Sequence, residues 1–194
     1  MNVLIYISQM KHMKKLLALI LALVLAMSCF TAVSAAEPGC PSAEFSDVPA
    51  NGHWAHNGID YMIGNGYMNG TSSYAKIFSP NMTTSRAMIV QILYKLEGQP
   101  AVSGEMKFTD VAKGDWYYNA VLWAVQNGIT KGTSETPFSP NDNVTREQIA
   151  TFLFAHSGET APDAALVLGR FPDVAKVSSW AKSAVAWAVN KGII

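Results

Sequence analysis

Residues 108–133 read FTDVAKGDWYYNAVLWAVQNGITKGT. From Trp116 onward, Ala120, Val121, Trp123, Ala124 and Val125 recur at the spacing of helix turns. Gly128 then supplies a residue that tolerates the left-handed conformation closing many helices. The opening Phe108-Thr109-Asp110-Val111 has counterparts in Phe45-Ser46-Asp47-Val48 and Phe171-Pro172-Asp173-Val174, each 63 residues after the one before. Each tetrapeptide is followed by a tryptophan (Trp54, Trp116, Trp180) and, 12 residues later, by a glycine (Gly66, Gly128, Gly192). Between them lie the stripes Ile59, Met62, Ile63 and Ala184, Val185, Ala188, so the spacing predicts three versions of one helix.

The first two copies continue through Gly70 and Gly132 to Phe78-Ser79-Pro80-Asn81 and Phe138-Ser139-Pro140-Asn141. Proline and asparagine interrupt regular structure there, and Arg86 and Arg146 follow eight residues after each phenylalanine. A second helix is expected after each turn. Thr145 with Gln148 forms a capping-box pattern ahead of the stripe Ile149, Ala150, Phe152, Leu153. Ser85 is the equivalent cap ahead of Ile89, Ile92, Leu93, Leu96, with Met88 in place of a reciprocal partner. Such a period means one supersecondary unit used repeatedly, each copy burying its apolar side against its neighbours.

The N-terminus reads differently. Lys11, Lys14 and Lys15 precede an uninterrupted apolar run over 16–27 and the small-residue stretch Val33-Ser34-Ala35-Ala36. That pattern predicts a secretory signal peptide over 1–35 cleaved after Ala35, its apolar run being shorter than the roughly 20 residues of a spanning helix. A short linker over 36–44 follows, then repeat 1 at 45–107, repeat 2 with its linker at 108–170, and an incomplete repeat 3 at 171–194. Gly, Pro and Ser mark 98–107 and 157–170 as inter-repeat linkers, the latter with a short helical turn near Ala164. With 14 basic and 14 acidic residues the net charge is zero, which gives no electrostatic grip on nucleic acid or anionic lipid. Cleavage would remove three lysines and Cys29. The exported part would then be mildly acidic, with Cys40 alone and no internal disulfide.

The ordered series Phe-x-Asp-Val, Trp, apolar helix, Gly-Ile, Gly-Thr, Phe-x-Pro, Thr-Arg, apolar helix resembles the S-layer homology module, and the resemblance covers 45–194. It implies a mainly α fold of helix-loop-helix modules packed around a pseudo-threefold helical core, the third module truncated, with polysaccharide-binding grooves between adjacent modules. It also implies non-covalent anchoring of an exported protein at the bacterial cell surface. The implied ligand is a secondary cell-wall polymer linked to peptidoglycan, typically pyruvylated. Self-assembly is a further implication. The family's Ile-Thr-Arg-Ala-Glu signature stands here as Val144-Thr145-Arg146-Glu147-Gln148 and Thr84-Ser85-Arg86-Ala87-Met88, so the arginine is kept and the glutamate is not.

A pyruvyl ketal presents a carboxylate beside a methyl group, which suits a guanidinium fork near apolar surface. Arg86 and Arg146 are therefore the candidate ligand cations, expected at helix starts where free N–H groups add attraction for an anion. Thr145 belongs with them through the shared signature. Trp54, Trp116 and Trp180 are candidates to stack on a sugar face, although their spacing favours packing between helices. Gly70 and Gly132 either bring backbone donors to a ligand or only make turns. Asp47, Asp110 and Asp173 recur, and the expectation is that they cap the helix near each tryptophan. No catalytic motif, cofactor or metal-ligand set is read: His53, His56 and His156 show no repeat and no cysteine at zinc-ligand spacing. The expected function is thus a non-catalytic wall anchor. Two rivals remain open: the N-terminal anchor of a larger secreted enzyme such as a glycan hydrolase, and a protein–protein assembly module of a surface layer.

Overall fold

The computed structural model describes residues 39–72 and 74–194; the expected signal peptide over 1–35 lies outside the described residues. Among them the chain is helical and contains no strand, with helices α1 (His56–Gly64), α2 (Arg86–Leu96), α3 (Tyr118–Gln126), α4 (Arg146–Ser157), α5 (Ala164–Leu168) and α6 (Lys182–Asn190). None is long and apolar enough to cross a membrane. The chain divides into two compact units after Met82, inside the first sequence period.

In the first unit a 3-10 turn at Pro41–Glu44 packs on α1. Its core is Phe45, Ile59 and Phe78, with Val48, Ala55, Ile63 and Met68 around them. The Phe45 and Phe78 rings meet edge to face with centroids 5.9 Å apart, an arrangement that suits their quadrupoles. The repeat's first and last phenylalanines are thus brought together, which closes the loop between them.

In the second unit α2 packs on α3, and α4 packs on α6, so each second helix covers the first helix of the following repeat. This explains why the units divide inside a sequence period. The buried face of α2 is Ala87, Val90, Leu93, Tyr94 and Leu96, rotated from the expected stripe so that Ile89 and Ile92 are only half-buried. Tyr94 accounts for the rotation: its ring packs on Trp123 of α3 at 5.6 Å and its hydroxyl donates to Pro100 O. On α4 the capping box forms, with Thr145 accepting from Gln148 N and Gln148 Oε1 accepting from Thr145 N. Gly158 ends that helix at a φ of 63°. Helix α5, begun by the Asp163 side chain, packs on α6 and buries Leu168, so part of the expected linker belongs to the core.

Two expectations are corrected. The tryptophans are not core residues: Trp54, Trp116 and Trp180 are 51%, 60% and 56% exposed. Each sits in the turn before its helix, so helical spacing counted from the tryptophan does not place it on the buried stripe. The aspartates do not cap the nearby helices either. Asp47 accepts from Phe78 N at 2.7 Å and Ser79 N at 2.6 Å, and Asp110 accepts from Phe138 N and Ser139 N, both at 2.8 Å. Ser79 and Ser139 have φ of 61° and 58°, a left-handed conformation that costs a serine energy. Two charge-assisted hydrogen bonds at that point hold the turn, which is why an aspartate recurs about 30 residues before it.

Candidate functional site

Arg86 begins α2 but is not solvated there. It is 5% exposed, its Nε donates to Phe138 O at 2.8 Å, and its guanidinium lies 5.0 Å from the Phe138 ring centroid and 5.2 Å from that of Phe152. Burial pushes its pKa below the ordinary arginine value, while the charges of Asp142 and Asp110 oppose that shift. Among the described residues no carboxylate reaches salt-bridge distance of it, and nothing accepts from its two terminal amino groups. A fixed guanidinium with free donors is a directional anion receptor. The expected free N–H groups at the helix start are absent, because Arg86 N donates to Asp142 O and Ala87 N to Pro140 O. The segment leading to α4 runs antiparallel to the start of α2, with a bridge between Ser85 and Asn143, and occupies those donors.

Arg86 lines a cleft of about 690 Å³. One wall is the loop from Gly128 to Thr133, another is Gln148, Thr151, Phe152 and Ala155 of α4, and Trp180 stands at the third. All three sequence periods therefore contribute to one cavity, the first through Arg86, the third through Trp180 and the second through the rest of its lining. Among the described residues two that line it are cations, Arg86 and Lys131, and none is a carboxylate. Buried Ile129 and Phe152 add apolar surface beside them.

Gly132 shapes this wall at a φ of +93°; a Cβ there would meet Phe108 Cε1 at 2.5 Å and Pro137 O at 2.7 Å. Its own N–H donates to Thr130 Oγ1 and that of Thr133 to Pro137 O, so the loop offers the cleft a surface and the Lys131 side chain, while these two donors are used. Gly70 is built alike in the first unit, at a φ of +82° against Phe45 and Ile77 O. Thr145 is occupied by its cap, Trp116 is exposed and is not among the residues lining this cleft, and Trp54 is exposed in the first unit.

Arg146 lines a different, smaller cleft of about 290 Å³ with Phe171, Val174, Val177, Val185 and Val189. Glu147 and Asp173 line it too, so its charge balance differs from that around Arg86. Glu147 is engaged there, accepting from Ser178 N and Ser178 Oγ.

Reading by period could not find Lys131. The residue matching Lys131 in the first copy is Asn69, so no repeat marks it. Trp180 carries the repeat signal, but which cavity it reaches depends on how α6 packs on α4. Nor did spacing show that Cys40, His56 and Asp60 converge, their ligand atoms all within 4.8 Å of one another.

The sequence profile of the S-layer homology domain matches residues 44–87, 107–150 and 170–194. Similar proteins include the Surface-layer 125 kDa protein of Lysinibacillus sphaericus, 32% identical over 83% of this chain and 13% of its own length. Exoglucanase XynX of Acetivibrio thermocellus is 32% identical over 79% of this chain and 14% of its own length. The S-layer protein of Bacillus licheniformis is 27% identical over 77% and 16%. The chain thus spans a small share of the length of these relatives.

Proposed function

Since the chain belongs to the S-layer homology family, we propose that it anchors an exported polypeptide to the bacterial cell wall by holding an acidic wall polysaccharide in the cleft between Arg86, Lys131 and Trp180. The observation that carries this reading is a concave surface with two cations, no lining carboxylate and an exposed indole at its rim. The terminal amino groups of Arg86 would donate a bidentate pair to a carboxylate on the sugar, and Lys131 would add charge without directional demand. The Trp180 face would cover the sugar C–H surface. A pyruvyl ketal fits best, because its methyl group would lie on Phe152 or Ile129 while its carboxylate faces Arg86.

No step breaks a covalent bond in this account, and retention follows from several weak contacts acting together. The test is sedimentation of the protein with purified walls whose polymer either keeps its ketals or has lost them by mild acid treatment. Retention on intact walls and release from stripped ones supports the reading; equal retention on both contradicts the ketal assignment.

The relatives favour one addition. An exoglucanase matches this chain over only 14% of its own length. We accordingly propose that these residues serve as the non-catalytic anchoring portion of a longer exported polypeptide, which expression of the uninterrupted gene and mass measurement of the wall-bound product would test.

A further inference from the structure

The first unit holds a group of side chains that wall binding does not use. Cys40 Sγ lies 3.4 Å from His56 Nε2 and 3.3 Å from both oxygens of Asp60, and His56 Nε2 lies 3.2 Å from Asp60 Oδ2. These edges can be compared with those of a metal tetrahedron. With zinc bonds of about 2.3 Å to sulfur and about 2.0 Å to nitrogen and oxygen, tetrahedral angles put sulfur about 3.5 Å from each of the other two, and those about 3.3 Å apart. The three donors thus already stand at the spacing of one face of such a tetrahedron, to within a few tenths of an ångström.

The surroundings orient the donors in the way a cation requires. His56 is buried, and its Nδ1 lies 2.8 Å from Pro49 O. A carbonyl can only accept, so the proton sits on Nδ1 and the Nε2 lone pair faces Cys40 and Asp60, the arrangement that supports metal-bound imidazoles. Asp60 Oδ1 accepts from Ser42 N at 2.8 Å, and the Ser42 hydroxyl lies 3.3 Å from Cys40 Sγ, which fixes the carboxylate and the thiol. In a neutral imidazole, Nε2 and Asp60 Oδ2 would meet lone pair to lone pair at 3.2 Å. A positive charge between or on them removes that conflict, and only a proton or a metal ion supplies one.

We propose that Cys40, His56 and Asp60 form a binding site for a divalent zinc-type cation, with Cys40 as thiolate and water at the fourth position. Mixed sulfur, nitrogen and oxygen donors at this spacing suit zinc and not calcium or magnesium, which take oxygen ligands at longer or octahedral distances. The ion would join the turn at Pro41–Glu44 to α1, two elements whose packing otherwise rests on a small core. Binding would displace the thiol proton.

Cobalt(II) titration of the reduced, purified protein in a Cys29→Ala background tests this, because Cys40 is then its one thiol. The expected result is one cobalt per chain, with a thiolate-to-cobalt charge-transfer band and the intense visible bands of tetrahedral coordination, both displaced by zinc. Cys40→Ser should abolish the charge-transfer band, and His56→Gln should weaken zinc binding at least tenfold. The proposal is overturned if the folded parent protein shows no such band, as an imidazolium–carboxylate pair alone would give, or if the band survives in Cys40→Ser.

Discussion

The Arg86 Nε donates to the Phe138 carbonyl oxygen at 2.8 Å, tying the first residue of α2 to the turn of the following repeat. That bond leaves the two terminal amino groups of the guanidinium for the cleft. Lysine keeps the charge but cannot make both sets of contacts, so Arg86→Lys should weaken wall binding about ten- to a hundredfold, the worth of one charged hydrogen bond. Arg146 faces a cleft that also contains Asp173 and Glu147. Arg146→Ala should therefore change wall binding by less than Arg86→Lys, a comparison that parallel sedimentation isotherms would settle.

Gly132→Ala should destabilise the fold by about 1–3 kcal/mol, the cost of forcing extra atoms into a packed place, added to the strain of a positive φ. The Cβ has no room beside Phe108 and Pro137. Urea unfolding of the variant would measure it, and an unchanged midpoint would mean that the Phe108 ring can move aside.

Thr145→Ala should cost about 1 kcal/mol through loss of the α4 cap, while leaving wall binding unaltered. Its side chain accepts from Gln148 N and its N–H donates to Gln148 Oε1. Loss of wall binding at full helicity would instead give Thr145 a direct part in the site.

Stability should fall on acidification below about pH 4. Hydrogen bonds from Phe78 N and Ser79 N hold the Asp47 carboxyl below its ordinary 3.8, against a smaller opposing effect of desolvation. For Glu159, burial works to raise the pKa, but the hydrogen bonds from Lys191 and Trp187 prevail and hold it below its ordinary 4.5. Depressed folded pKa values mean that the unfolded chain binds more protons in this range. The stabilisation is thus complete above the unfolded values and is lost as the pH falls through the folded ones. Thermal melts between pH 7 and pH 2 should show the decline, and Asp47→Asn should show a shallower one from an already lower melting temperature.

Much of the fold was legible because it is written more than once. Three copies of Phe-x-Asp-Val and Trp gave the helices and their order, and the Thr145 cap could be read from four residues. What a period cannot report is what meets what across periods. Asp110 looked like a cap because its distant partners, the N–H groups of Phe138 and Ser139, are backbone atoms that leave no mark in the sequence. Lys131 stood against Asn69 and carried no repeat signal. Arg86 was visible as a candidate cation, but its burial between two phenylalanine rings depends on α2 crossing to the next repeat. Cys40, His56 and Asp60 occur in one copy, so repetition could not point to them.

The most direct test of the anchoring account is the ionic-strength dependence of wall binding for Lys131→Glu beside the parent protein. Lys131 is exposed, so the change should leave helicity intact while placing a negative charge in the cleft. The account predicts at least a tenfold loss of affinity for ketal-bearing walls at low salt, narrowing as salt rises. Equal affinity of the two proteins at every salt concentration would contradict it.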